Sequence, residues 1–447
     1  MSRIRIIITI IVVVLTTLLT GCTGKEPNEI AYVVALGIDS TDDDNYKITI
    51  QYANTTQISG GASESGGKAG SEIVDNVTIE APNIYAGVGL ANNIVSKSFS
   101  MSHAKLIVFS KEIAEKGVKD MIETLVRSEE IRPDVFIAVA NTTANDYLTS
   151  VNPEMEVNPA QYYQLIYQKN QLVGIPDGQL REFFTGLYTD NYDSILPVAG
   201  VIEGAGGNSQ NDDKGQSKDS QNEGSEGSSE SLDSFESKNS DENEKEKDAE
   251  KNTSKYEYDI KNYVGGETAI EKKNKAEAIG AAVFEKDKMV GELGEVETEI
   301  CKMLKGDYTY SYLTYYNNDT PDIPITVKTT QQKKPKYKID TDKKTVDIEL
   351  YIESDLYSLP ADYNVENKIE DFERDVANYT SSACTEFINN FTKKYNSDIL
   401  KLNEKVKYKF LTNNQYNWFK KNVGWSEYKF SVCTKFKVRR TGLIVRE

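Results

Sequence analysis

The chain has 447 residues, 70 of them acidic and 52 basic, and its formal net charge at pH 7 is −18. Nucleic-acid phosphates and anionic lipid head groups repel a chain this acidic, so nucleic acid is excluded as an expected partner and a basic patch as the expected means of membrane attachment. The length is sufficient for two or three domains with hydrophobic cores of their own.

The amino end resembles a secretory leader. Arg3 and Arg5 precede an apolar run over residues 6–19, which is shorter than the roughly 20 residues that a membrane-spanning helix needs. A signal peptide is therefore favoured over a spanning helix. No later stretch of the sequence approaches the length and apolar content of a membrane span, so the rest of the chain is expected outside the cytoplasmic membrane.

The leader ends in a short motif that predicts a lipid anchor. Leu19, Thr20 and Gly21 form a bacterial lipobox directly before Cys22. This pattern predicts a signal peptide over residues 1–21, a diacylglyceryl group on the Cys22 thiol and a polar tether over residues 22–29. Acyl chains hold a protein at a bilayer because each buried methylene contributes about 0.8 kcal/mol. An uncleaved amino-terminal anchor is the alternative.

A first α/β domain is predicted over residues 30–202, as one domain or two subdomains. An apolar run and an alternating run form a hairpin, a glycine- and serine-rich loop covers residues 59–71, and strands then alternate with helices. Pro82 is predicted as the first residue of a helix. Ser110 is predicted as the N-cap of another. Further helix is expected between residues 159 and 188.

Composition changes sharply after residue 202. Residues 203–255 carry fifteen acidic and seven basic side chains and almost no large apolar ones. Such a segment buries too little apolar surface to offset the entropy of ordering, so a disordered acidic linker is predicted. A docking role for the acidic side chains is the less common alternative.

A second α/β domain is predicted over residues 256–447. It opens with a hairpin at residues 276–293, contains an alternating strand at 346–353, and continues with an amphipathic helix from 369 to about 395. Two more alternating strands are expected, one through Val406, Tyr408 and Phe410 and a last one at 428–438. The predicted fold class is α+β or mixed α/β, multi-domain, each domain a mainly antiparallel or mixed sheet with flanking helices.

The residue types that carry catalysis are sparse. His103 is the only histidine, and it has no nucleophile motif beside it. With Cys22 lipidated, Cys301, Cys384 and Cys433 remain, an odd number with no Cys-x-x-Cys spacing, so neither a disulfide framework nor a metal site is indicated. We expect no catalytic residue, no cofactor and a function carried by surfaces.

Several stretches together resemble one family. "LTGCTGKEPNEIAYVVALGID", "SHAKLIVFSKEIAEKGVKDMIETLVRSEEIRPDVFIAVA", "AIGAAVFEKDKMVGEL", "FERDVANYTSSACTEFINNFTKKYNSDI" and "FKVRRTGLI" occur in the order found in the Ger(x)C lipoproteins, the C subunits of spore germinant receptors. The chain departs from that family after the lipobox, where "TGKEPNE" replaces the common Trp-Asp-Arg-Arg-Glu. Any contact that the family makes through those arginines is therefore in doubt here.

The resemblance implies a function and two partners. It implies a lipid-anchored, non-enzymatic subunit on the outer face of the spore inner membrane, needed for assembly and signalling of a germinant receptor together with an A-type and a B-type membrane subunit. Arg439 and Arg440, beside the lysine-rich face of the last strand, are candidate partner contacts. The ordinary alternative is an edge strand that lysines protect from aggregation.

Two other functions stay open from the sequence. A lipoprotein that captures a small nutrient would need a deep cleft between two similar lobes. An anchored hydrolase would have to use His103 or an acidic pair, and no motif indicates such an activity.

Overall fold

The computed structural model describes residues 3–7, 9, 29–43, 45–53, 74–153, 156, 158–168, 174–189, 191–202, 262–268, 274–317, 320–358, 368–395 and 397–441. The lipobox, Cys22, the tether up to residue 28, the glycine-rich loop and the acidic segment 203–255 lie outside the described residues. Residues 1–205 and 260–447 form one compact unit. Among the described residues, no helix combines the length and the hydropathy that crossing a bilayer requires.

Nine strands of the described ranges form the first sheet, in the spatial order β3-β2-β1-β5-β6-β7-β8-β9, with β4 beside β1. The strands are β1 (Ile30–Ser40), β2 (Tyr46–Ala53), β3 (Val74–Ala81), β4 (Ser98–Ser100), β5 (Leu106–Ser110), β6 (Phe136–Ala140), β7 (Ile195–Val201), β8 (Ala276–Glu285) and β9 (Lys288–Leu293). The predicted opening hairpin is confirmed by the antiparallel pairing of β1 with β2.

The centre of this sheet is parallel and covered on both faces. Strands β1, β5, β6 and β7 run in the same direction. Their side chains alternate between two apolar clusters, so that Leu36 belongs to one cluster and Ala35 to the other. Burial on both faces explains why β5 and β6 are almost continuously apolar in the sequence.

In the described part of the chain, six helices flank the first sheet. They are α1 (Ile84–Ile94), α2 (Lys111–Lys116), α3 (Lys119–Val126), α4 (Ala144–Ser150), α5 (Pro159–Gln168) and α6 (Leu180–Thr189). The N-cap prediction for Ser110 is confirmed, because its hydroxyl accepts a hydrogen bond from the Ile113 N–H. Pro82 is not the first residue of α1. Asn83 caps that helix by accepting the Ala86 N–H, and helical geometry starts at Ile84.

The hairpin that follows the acidic segment completes the first sheet. The β8–β9 hairpin is present as predicted, and β8 pairs antiparallel with β7. The predicted domains 30–202 and 256–447 therefore share a sheet. Chain order places β8 and β9 in the second domain, whereas hydrogen bonding places them in the first sheet.

The second sheet consists of β10 (Tyr310–Asn317), β11 (Thr320–Thr330), β12 (Lys336–Asp340), β13 (Thr345–Ser358) and β14 (Lys429–Arg440). The helices described beside it are α7 (Glu295–Lys305), α8 (Ile369–Lys394), α9 (Leu402–Val406) and α10 (Asn413–Asn422). The two sheets share one apolar cluster, since Val283 of β8 and Val346 of β13 both belong to it.

The strand predicted through Val406, Tyr408 and Phe410 is wrong. Val406 ends α9, and Lys407–Lys409 form one 3₁₀ turn. The physical reason is a cap that the alternating pattern does not reveal. The Asp398 carboxylate accepts hydrogen bonds from the N–H groups of Leu402 and Asn403, both at 2.8 Å, and satisfies donors at the start of α9.

Candidate partner-binding face of the terminal strand

The candidate contacts Arg439 and Arg440 lie at the end of β14, which is parallel to β13. Side chains of β14 alternate between buried and exposed along most of its length, as the sequence predicts. The lipid-attachment residue Cys22 and its lipobox are outside the described residues, so the structure describes only the two candidate contacts.

Helix α8 covers the outer backbone edge of β14 with a row of polar side chains. Four N–H groups of the strand donate to helix side chains: Phe430 to Asn389 at 3.1 Å, Val432 to Thr385 at 3.0 Å, Thr434 to Ser381 at 2.9 Å and Val438 to Glu373 at 2.9 Å. Every second strand residue meets every fourth helix residue, because a strand alternates with period two and a helix repeats about every four. An edge that would otherwise attract another strand is thereby satisfied.

The row has one gap. Ala377 occupies the helix position between Glu373 and Ser381 and has no side-chain acceptor, while alternation along β14 directs the Phe436 N–H towards it. A cavity of about 580 Å³ lies at this gap, and both Ala377 and Phe436 line it. Lys435 and Lys437 also line it, so the gap adjoins the basic face of the strand.

Ion pairs neutralise most of that basic face. Lys435 pairs with Glu349 at 3.0 Å, Lys437 with Glu373 at 2.5 Å, and Arg439 with Glu353 at 2.5 Å. Two of these acids project from β13, where the sequence shows them alternating with apolar residues. No ion pair joins Arg440 to a described residue, so it is the more accessible of the two predicted contacts.

Three lysine side chains lie around the ring of Tyr351, and the sequence analysis did not predict this cluster. The ammonium groups of Lys333, Lys336 and Lys435 lie 5.2, 5.4 and 5.0 Å from the centre of its ring. Cation–π attraction holds lysines over tyrosine faces. The only signal in the sequence is the basic run 333–338, and it does not reveal which aromatic residue meets it.

The single histidine lies beside an aromatic ring and a hydroxyl group. His103 is exposed, its ring packs edge-on against Tyr32 at 4.8 Å, and its Nδ1 lies 3.0 Å from the Ser102 hydroxyl. In the described part of the chain, no group of three histidine, cysteine or acidic side chains is placed to hold a metal ion.

The three described cysteines are free thiols. Cys301 and Cys384 are buried and Cys433 is exposed. Burial raises the pKa of the Cys301 thiol to about 11 and that of Cys384 to about 12, so both are protonated near neutral pH.

A polar cavity of about 490 Å³ separates the end of α6 from α10, with Lys286, Lys420 and Trp425 among its lining residues. Asp193 and Asp398 also line it, but their carboxylates already accept backbone N–H groups of the chain. These two carboxylates are therefore already engaged within the chain, and the cavity does not by itself support nutrient capture.

Two family models match the chain in order. The model described as "Spore germination protein N-terminal domain" covers residues 24–201, and the one described as "Spore germination B3/ GerAC like, C-terminal" covers residues 279–442. Together they span well over half of the chain. The chain belongs to the GerAC-type, or Ger(x)C, family of spore germination proteins. Its fold class is confirmed as a mixed α+β architecture of two mixed sheets with flanking helices.

Two relatives of this Ger(x)C protein share about a quarter of their residues with it over the matched stretches. Spore germination protein KC of Bacillus subtilis (strain 168) is 26% identical over 176 residues, which are 36% of this chain and 43% of that protein. Spore germination protein B3 of the same organism is 26% identical over 148 residues, 31% of this chain and 36% of that protein. The chain thus spans less than half the length of these relatives.

A solved structure is also similar. The crystal structure of the GerBC protein superposes with a TM-score of 0.48 at 15% identity, covering 90% of this chain and 96% of that one.

Proposed function

We propose that this chain is a lipid-anchored, non-enzymatic C-type subunit of a spore germinant receptor, needed for assembly and signalling of nutrient-induced germination. The observation that carries the proposal is the ordered match of the amino-terminal and carboxyl-terminal spore germination models on either side of the acidic segment. The relatives KC and B3 are both named spore germination proteins.

The anchor part of the proposal rests on the sequence. Leu19, Thr20, Gly21 and Cys22 follow a short apolar leader, and a diacylglyceryl thioether on Cys22 would hold the folded body at the outer face of the spore inner membrane. Confinement beside an A-type and a B-type subunit raises the effective concentration of each interface, so weak contacts become intramolecular in effect. Arg439 and Arg440 remain the candidate contacts to those subunits.

The test is complementation in the native organism. Spores that lack the gene receive the wild-type chain, Cys22→Ala or Cys433→Ala, and germination is followed with defined nutrients alongside membrane fractionation. We expect Cys22→Ala to leave the membrane fraction and to germinate poorly. Cys433→Ala, which alters an exposed thiol elsewhere, should behave as wild type. Full germination and membrane retention of Cys22→Ala would contradict the anchor.

A further inference from the structure

The stretch from the end of α9 to the end of α10 carries unusually exposed apolar side chains. Tyr408 is 78% exposed, Leu411 is 95% exposed and Trp418 is 68% exposed. Lys407 and Lys421 are exposed in the same stretch. These five residues are called the aromatic-basic patch below.

The apolar members of the patch do not contribute to the core. On α10, Tyr416 is buried and Phe419 packs against Trp425, whereas Trp418 points away from that cluster. Leu411 directly precedes the N-cap Thr412, a position from which an apolar side chain often packs onto the first helical turn. Its almost complete exposure means that this packing is not made.

The charge of the stretch is opposite to that of the whole chain. Residues 401–423 contain six lysines and one glutamate, a charge of +5 in a chain of −18, which the ion pair of Lys401 with Glu182 reduces to +4. An anionic surface is therefore attracted to this stretch and repelled by most of the remaining surface. The net charge of the whole chain therefore does not reveal that this stretch is positively charged.

Helix α10, which carries Trp418 and Lys421 of the patch, contacts the chain near the edge of the first sheet at which β1 begins. The Lys420 ammonium donates to the Thr189 carbonyl and to Asn191 Oδ1, both at 3.1 Å. Thr189 ends α6, and Asn191 lies in the segment that leads into β7. Strand β7 is parallel to β1 through β6 and β5, so β7 and β1 start at the same edge. Three strand spacings separate them, about 14 Å.

The tether is long enough for the lipid anchor and the aromatic-basic patch to contact the same bilayer. Seven residues, 23–29, join the predicted lipidated Cys22 to β1 and extend to about 24 Å. This step rests on the proposed anchor, while the exposure and charge of the patch do not.

We propose that the aromatic-basic patch is a second membrane contact, which docks into the head-group region of a bilayer that contains anionic lipids and so orients the anchored body. Tryptophan and tyrosine favour the interface between hydrocarbon and water. Lysines near an anionic bilayer each contribute about 1 kcal/mol, or about fivefold in binding. The two acyl chains of the predicted diacylglyceryl group already hold the chain at the bilayer, so the added contact of a basic apolar surface mainly sets how the folded body lies on it.

The chain contains its own fluorescent probe for this contact. It has two tryptophans, and Trp425 is only 7% exposed, so quenching from outside reports on Trp418. Lipidated full-length chain is mixed with vesicles of phosphatidylcholine, or of phosphatidylcholine with phosphatidylglycerol, each containing brominated acyl chains. Flotation measures attachment and tryptophan quenching measures docking.

We expect flotation with both vesicles and strong quenching only with the anionic ones. Lys407→Gln and Lys421→Gln should each lower the docked-to-undocked ratio about fivefold, and Leu411→Ser should also lower it. Leu165→Ser, a matched change at an exposed leucine of α5, should not. Trp418→Phe should remove the quenchable emission.

The outcomes separate the patch from the anchor. Flotation with both vesicles and an unquenched Trp418 overturns the patch alone. Flotation and quenching with anionic vesicles only, with none on neutral ones, overturns the anchor and supports the patch. Absence of flotation with both vesicles overturns both proposals. Protection of Trp418 only on addition of the partner subunits assigns the patch to a protein interface and overturns the membrane contact.

Discussion

The carboxylate of Asp193 accepts a hydrogen bond from the backbone N–H of Asp398, which lies 205 positions later in the chain. In return, the Asp193 N–H donates to the Asp398 carbonyl at 3.2 Å. The other Asp193 oxygen accepts the Lys286 N–H at 2.9 Å. One acidic side chain thus links the start of β7, the β8–β9 turn and the segment before α9.

Asp193→Ala should destabilise the whole unit. The substitution leaves the N–H groups of Lys286 and Asp398 without their acceptor, and hydrogen bonds to charged groups contribute about 1.5–3 kcal/mol each. We expect the free energy of unfolding, measured by urea denaturation, to fall by about 3 kcal/mol. Asp342→Ala, an exposed turn aspartate, is the control. Equal stability of the two variants would show that the hydrogen bonds accepted by Asp193 do not stabilise the folded chain.

Ser381→Ala should weaken the α8–β14 edge. It leaves the Thr434 N–H without an acceptor, which costs about 1–3 kcal/mol for a buried donor, and it uncovers part of a strand edge. The measurement is thermal unfolding together with light scattering for self-association. The neighbouring Ser382→Ala removes an exposed hydroxyl with no hydrogen bond to a described residue and serves as the control. If both variants match wild type, the row of helix side chains does not stabilise the edge.

Glu299→Gln should flatten the pH dependence of stability. Burial raises the pKa of Glu299 from 4.5 to about 7, although the Tyr308 hydroxyl donates to the carboxylate at 3.2 Å. The folded chain therefore keeps a proton that the unfolded chain releases between these pH values. The free energy of unfolding falls as pH rises through this window, by up to about 1.4 kcal/mol per pH unit.

Urea denaturation of Glu299→Gln at pH 5, 6, 7 and 8 should show a smaller decline than wild type, with the variant gaining relative stability at pH 8. Glu386→Gln, on the exposed side of α8, should keep the wild-type slope. An unchanged slope in Glu299→Gln would mean that the carboxylate is already ionised at pH 5 in the folded chain.

Thiol titration tests the lipid anchor chemically. In the native mature protein, Ellman's reagent should react with Cys433 only, because Cys301 and Cys384 are buried and their pKa values are raised. The chain has four cysteines, so denaturation should expose three thiols if Cys22 is a thioether and four if it is free. A count of four would contradict lipidation without disturbing the description of the fold.

Arg440→Glu and Arg439→Ala separate partner binding from stability. Arg439 pairs with Glu353, and its loss should cost at most about 1 kcal/mol, as for other surface ion pairs. Arg440 is exposed and has no ion pair with a described residue, so charge reversal there should leave thermal unfolding unchanged. We expect it to reduce co-purification with the receptor membrane subunits from spores. Unimpaired co-purification would remove Arg440 from the candidate contacts.

Local signals in the sequence predicted many of the elements well. The runs that became β1, β5 and β6, the Ser110 cap and the stripe of α8 depend on neighbours within a few residues, where periodicity and capping chemistry act. Local alternation gave a wrong prediction at Val406. The pattern there is that of a strand, whereas the Asp398 carboxylate caps a helix.

The sequence by itself indicated most of the elements, the family resemblance, the predicted anchor at Cys22 and the candidate contacts Arg439 and Arg440. Only the tertiary structure decided that β8 joins β7 across the acidic segment, that α8 covers the edge of β14, and that α10 contacts the segment that leads into β7. The reason is physical. Periodicity and caps are set by adjacent residues, whereas strand partners and surface charge patterns depend on residues that are distant in the chain and meet only after folding.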